Sequence, residues 1–275
     1  MKKFTKISLI FAGIFAALGI ACWIAGLALG VTWAEIRNSL NQGEFSIGSH
    51  FFENWENGDE RVLAEGEYEF YAEEVNNLNI DMSYATIEIQ ETDEEIIYME
   101  TTDEGKDKVT LDGDTLKLES RGNKNDEHIV VLYLPADLSF EEIKIDVSAG
   151  RAAVNDLTAE QIKIEVGAGE FTGDGVLSAE EADFSIGAGT MDFAYLDASE
   201  AKIGVGAGSV SGTLTGSQED YEIKLECGVG SLQVGTTDYS GIAHKETVNA
   251  DHGERQLKVE CAVGEVDLQF ENDHH

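Results

Sequence analysis

A block of eight residues returns six times in the second half of the chain: IKIDVSAG (143–150), IKIEVGAG (162–169), ADFSIGAG (182–189), AKIGVGAG (201–208), IKLECGVG (223–230) and LKVECAVG (257–264). The closing glycines Gly150, Gly169, Gly189, Gly208, Gly230 and Gly264 follow at intervals of 19, 20, 19, 22 and 34 residues. A unit of that size cannot bury an apolar face alone. Stacked units close a common core in which like residues lie over like. The expected inward ladder is Val147, Val166, Ile186, Val205, Cys227 and Cys261. A second inward ladder is expected from Ala149, Ala168, Ala188, Ala207, Val229 and Val263, near corners whose glycines supply unusual backbone angles. Lys163, Glu165, Lys202, Lys224 and Glu226 then point outward. The pattern implies an all-β, single-stranded parallel β-helix (a β-solenoid) with coils of about 20 residues. The absence of hexapeptide patterning favours the right-handed form. A propeller blade needs four strands per repeat and does not fit.

The same period of two runs ahead of the repeats. Leu78-Asn79-Ile80-Asp81-Met82, Thr86-Ile87-Glu88-Ile89-Gln90 and Thr115-Leu116-Lys117-Leu118-Glu119 alternate, and the denser run from His128 to Leu134 stops at Pro135, the sole proline. Turn signals stand at Asp112-Gly113-Asp114 and Arg121-Gly122-Asn123. The long interval between Gly230 and Gly264 reads as one coil with an inserted loop around Tyr239 to Gly253. Residues 67–275 therefore form the expected solenoid, with regular repeats over 143–270. Residues 35–66 read as a juxtamembrane tether, too rich in Phe45, Phe51, Phe52 and Trp55 for a free linker.

From Ile7 to Ala34 no residue is charged, and Lys2, Lys3 and Lys6 precede the stretch. As a helix it rises roughly 42 Å, more than the bilayer core of about 30 Å requires. Residues 1–34 are therefore expected to hold a cytoplasmic N-terminus and a transmembrane anchor, integral to the membrane through residues 7–33. The lysines orient it with the bulk of the chain extracytoplasmic. Cleavage as a signal peptide after Gly30 and lipidation at Cys22 are the competing readings. Gly26 and Gly30 lie in a small-residue stripe that lets helix backbones approach.

The formal net charge is −36, and beyond the anchor 54 acids face 15 bases. Such a surface repels nucleic acid, and no concentrated basic patch offsets it. It suits a solvated stack, weak divalent cations or a basic partner. The regular apolar alternation argues against disorder.

No residue pattern here points to catalysis, a cofactor or a defined metal site. Cys227 and Cys261 occupy one position of two repeats, so stacking brings their Cα atoms about 4.8 Å apart. They read either as a buried small apolar pair or as a disulfide. The GAG triplets lack the calcium-binding nonapeptide, and Asp112-Gly113-Asp114 and Asp174-Gly175 lack EF-hand spacing. His244, Asp251 and His252 in the inserted loop read as solvated polar residues before they read as ligands. Polysaccharide-active β-helix enzymes cluster carboxylates and aromatics on one face, whereas the arginines here are scattered and outward aromatics few.

The basic single-pass N-terminus, the strand ending in Leu134-Pro135, and strands closed by Ser148-Ala149-Gly150 and Gly167-Ala168-Gly169 resemble a bacterial family described as adhesin-like domains of unknown function. They are similar to membrane-anchored members of Gram-positive cell-envelope stress operons. The resemblance spans roughly residues 67–270. It implies a β-solenoid and an envelope location and supplies no catalytic residue. The expected function is a non-catalytic, membrane-anchored envelope scaffold or interaction protein whose partners are other envelope or membrane proteins. The alternative is an accessory or sensor of an envelope-stress signalling system.

Overall fold

Alternation makes one face of each extended segment apolar, and the described residues are built almost wholly of such segments. A computed structural model describes residues 60–62, 68–124, 128–239, 241–249 and 253–272, all within one compact unit, 58–275. The expected anchor and most of the tether lie outside the described residues. Among those described, the only helical pieces are short 3-10 turns, and no helix is long and apolar enough to cross a membrane.

The strands in chain order begin with β1 (Glu60–Val62), β2 (Glu69–Tyr71), β3 (Asn77–Thr92), β4 (Ile96–Thr101), β5 (Asp107–Asp112) and β6 (Thr115–Arg121). Then come β7 (Ile129–Pro135), β8 (Ser139–Val154), β9 (Leu157–Val166), β10 (Glu170–Ile186) and β11 (Thr190–Val205). The last are β12 (Ser209–Leu214), β13 (Tyr221–Val234), β14 (Thr237–Asp238), β15 (Gly241–Val248) and β16 (Arg255–Phe270). Long strands change register part-way, β3 between Met82 and Ala85, β10 between Gly173 and Val176 and β11 between Phe193 and Leu196, so each supplies two walls of the stack.

On the first wall three apolar rows run across parallel, in-register strands. Leu78, Ile143, Ile162, Ala182, Ala201, Leu257 and Ile223 form one row, and Ile80, Ile145, Ile164, Phe184, Ile203, Val259 and Leu225 the next. The third is Met82, Val147, Val166, Ile186, Val205, Cys261 and Cys227. All are buried. A second wall carries Ile87, Ala152, Phe171, Met191, Val210, Val266 and Leu232. Large and small residues interlock there: Phe193 lies between Gly173 and Gly212 in register and packs edge-on against Phe184, centroids 5.8 Å apart. The outcome is an all-β, solenoid-like sheet with one continuous core.

Chain order and spatial order agree from β8 to β12 and part company at both ends. β16 sits between β11/β12 and β13, so the coil of Gly264 precedes that of Gly230 in the stack. At the other end β6 and β7 flank β3, which therefore lies one layer inside strands that follow it in sequence. The expectation of simple sequential stacking is corrected here. A short connection after β13 favours an antiparallel return. The chain takes it: Gly235 turns at φ +58, and β14 and β15 pair antiparallel with β13. The expected inserted loop is therefore largely strand, with Tyr239 buried. β16 then fills the vacant layer. Antiparallel strands also cap the N-terminal end, where β5 pairs β6, β4 pairs β7, β2 pairs β4 and β1 pairs β5. These caps make the fold a mixed sheet, not a purely parallel helix. β1 comes from the segment read as tether.

Candidate functional site

The corners are the most constrained backbone in the stack. Their amides continue the parallel ladder from coil to coil, Ala168 N–H donating to Ser148 O at 3.0 Å and Ala188 N–H to Gly167 O at 2.7 Å. Val263 N–H donates to Gly206 O at 2.7 Å, which carries the ladder across the out-of-order layer. Clearance, more than dihedral freedom, explains the closing glycines. A Cβ on Gly169 would lie 2.6 Å from Gly150 O, and one on Gly208 would lie 2.2 Å from Gly189 O. Gly230 and Gly264 face the same obstruction. Gly150 alone of the six has positive φ, +135. The second inward ladder is not formed. Ala168, Ala188, Ala207 and Val229 are exposed, and Ala149 and Val263 half-buried, because strand alternation lapses where the chain bends and the middle residue of each corner turns to solvent.

Outward rows of the first wall alternate in charge. Lys117, Lys144, Lys163, Lys202, Lys258 and Lys224 share one row, interrupted by Asn79 and Asp183. Acids flank it on both sides. Lys163 meets Glu165 at 3.0 Å, Lys202 bridges Glu181 and Glu200 at 2.8 and 3.1 Å, and Arg121 grips Asp81 through two bonds of 2.8 and 2.7 Å. Burial, with Asp81 and Glu165 on either side, raises the Asp146 carboxyl above its ordinary range. Burial lowers the Lys144 ammonium. Bases of the wall are held by neighbouring acids, while Asp81, Asp146 and Glu165 stand side by side in one row. Asp112 likewise meets Lys117 at 2.5 Å, and Asp114 accepts from Asn76 and Asn77. Among the described residues no three of His, Cys, Asp and Glu are grouped to hold a metal ion.

Cys227 and Cys261 are partners in register, both buried and both free. Burial, then the neighbouring Cys227, pushes the Cys261 thiol up to about 11. It stays a thiol at neutral pH, a poor nucleophile and a poor metal ligand. A cleft of about 550 Å³ touches the pair and is edged by Gly204, Glu226, Glu260 and Lys245, with Lys245 bonded to Glu226. His244 stands opposite Cys227 in β15. Asp251 and His252 lie outside the described residues.

One polar cluster was missed in the sequence. His128 Nε2 lies 2.8 Å from Asp107 Oδ1 with both side chains fully enclosed, Thr101 Oγ1 donates to Asp107 Oδ2 at 2.5 Å, and Thr102 Oγ1 lies 3.3 Å from His128 Nδ1. Hydroxyl, imidazole and carboxylate in line suggest a nucleophile and its base. The Thr102 hydroxyl, however, also accepts the Ile129 N–H at 3.0 Å. The cluster clamps the β4–β5 connection to the start of β7. The available signal was phase: His128 shares the inward parity of Val130, Leu132 and Leu134.

Comparison with known proteins places this geometry. The family model for Toastrack DUF4097 matches residues 75–275. The chain belongs to that family. The Toastrack match takes in the whole stack from β3 to β16. No curated protein matches. Among solved structures, a candidate cell adhesion protein of Clostridium sporogenes is 14% identical with a TM-score of 0.37, covering 78% of this chain and 99% of its own. A candidate adhesin of Bacteroides fragilis is 13% identical with a TM-score of 0.35, covering 78% and 98%.

Proposed function

We propose that this chain is a non-catalytic, membrane-anchored scaffold or interaction protein of the cell envelope, adhesin-like in use. Residues 7–33 hold it in the membrane with the N-terminus cytoplasmic, and the Toastrack stack stands on the extracytoplasmic side as a rigid acidic surface. The reading rests chiefly on one observation. The described chain spends its repeats on an in-register core and on corners closed by backbone contact, while lysines along one wall are held by neighbouring acids. Such a build suits presentation of a fixed surface better than turnover of a substrate. Its partners are other envelope or membrane proteins and, weakly, divalent cations; the net charge of −36 disfavours nucleic acid.

Protease added to intact protoplasts tests the arrangement. The expected result is loss of the mass beyond about residue 35 and survival of a short N-terminal fragment, whose size follows from the proposed span. Full protection of the C-terminal mass would overturn the topology.

A further inference from the structure

The lysine-bearing first wall has a counterpart of opposite character at the N-terminal end of the second wall. There β2, β4, β7 and the latter half of β3 lie side by side, and none of these four strands contains a lysine or arginine. Their outward residues are unusually apolar. Tyr71 is 65% exposed beside Ile96, and Tyr98 stands opposite Tyr133 with the rings stacked 4.4 Å apart at 14°. Val131 continues the patch in the adjoining register position. Carboxylates ring it: Glu69 faces Tyr98 across β2, and Glu100 and Glu88 flank Val131 on either side. Tyr133 Oη reaches Glu100 at 3.5 Å.

An aromatic centre inside a polar rim is the anatomy of a protein-binding hot spot, in which tyrosine is enriched. Arg151, opposite Thr86 on the adjoining β8, is taken up by Glu170, so the rim within these four strands carries only negative charge, which selects the occupant. We infer that this tyrosine surface docks a basic polypeptide segment with apolar anchors, the anchors seated on Tyr71, Tyr98 and Tyr133 and the bases on Glu69, Glu88 and Glu100. A second copy of the chain would bring the same carboxylates and a net charge of −36 to the contact. The chain's own residues 35–59 hold five acids and one base, so they lack the complementary charge. Anionic lipid and anionic polymers are repelled on the same ground. The inference deepens the interaction role proposed above by naming its surface and the chemistry of its partner.

The test is surface plasmon resonance on the full chain held in nanodiscs of zwitterionic lipid, with empty discs as reference. The probes are a Leu/Lys peptide, a Ser/Lys peptide of equal charge and a Leu/Glu peptide. The Leu/Lys peptide is expected to bind and the other two to bind at least about tenfold more weakly. Tyr71→Ser and Tyr98→Ser should each weaken the Leu/Lys complex about tenfold, Tyr71→Phe should retain it, and Glu100→Gln should weaken it and flatten its salt dependence. Lys163→Gln, on the other wall, should change nothing. Melting curves identify any variant that fails to fold, and Tyr71→Phe against Tyr71→Ser keeps the comparison on a folded pair. Equal binding of the Ser/Lys peptide, or indifference to Tyr71→Ser, would overturn the inference. So would a dimer in sedimentation that Tyr71→Ser dissolves, since it would seat a second copy there. None of these outcomes alters the protease pattern, so failure here is separable from failure of the proposed topology.

Discussion

A methyl group on Gly189 would stand 2.3 Å from Gly169 O and 2.7 Å from Val166 Cγ1, whereas one on Gly204 would meet nothing nearer than Phe184 O at 3.9 Å. The two glycines are therefore expected to respond oppositely. Gly189→Val should cost well over about 1 kcal/mol because rigid backbone blocks it. Gly204→Ala should be neutral or stabilise by about 0.5 kcal/mol through the unfolded state. Thermal melting of both variants checks this. Ile186 is buried in the third apolar row, and Glu165 is an outward neighbour of Asp146. Ile186→Asp should cost about 4 kcal/mol or more by burying an unpaired carboxylate, and Glu165→Gln should leave denaturant midpoints nearly unchanged. Asp146 supplies a pH test. Its carboxyl is harder to ionise in the folded chain than in the unfolded one. Folding is therefore penalised at neutral pH, and the penalty fades as pH falls through the raised folded value and is gone below the unfolded value of about 4. Asp146→Asn should raise stability at pH 7 and give no gain at pH 3.

Among elements, β8 to β11 were legible because alternation and recurring corners name both the inward residues and their layer neighbours. The ends were not. Alternation is the same whether a strand pairs parallel or antiparallel, so it cannot reveal that β16 enters ahead of β13 or that β15 turns back on it. The corner alanines were misplaced for a related reason: alternation was extended through a bend where it no longer applies. Cys227 and Cys261 were correctly made neighbours even so, since exchanging two adjacent layers keeps them adjacent. The clamp on β7 was hidden because Asp107 and His128 lie in separate segments with no shared motif. Its strength can be measured. His128→Ala leaves the enclosed Asp107 side chain without its imidazole partner, which should cost about 1–3 kcal/mol, with hydrogen exchange rising first across residues 101–107. Adding Asp107→Asn should recover part of the loss. An unchanged exchange profile in His128→Ala would show the cluster to be incidental.

For the whole molecule, charge and register belong to one account. A net charge of −36 loads the stack with self-repulsion, and the register answers it by setting a lysine row between acidic rows on one wall while leaving the tyrosine surface on the other purely acidic at its rim. Along the row containing Glu119, Asp81, Asp146, Glu165, Ser185, Gly204, Glu260 and Glu226, each residue is the register partner of the next. Layers about 4.8 Å apart then put position 260 roughly 29 Å from position 119, and position 226 roughly 34 Å away. Spin labels at 119 and 260, compared with labels at 119 and 226 by pulsed electron–electron resonance, measure this directly. The expected result is a 119–226 distance longer than 119–260 by about one layer spacing. A shorter 119–226 distance would mean that the coils stack in chain order, and would contradict the fold described here.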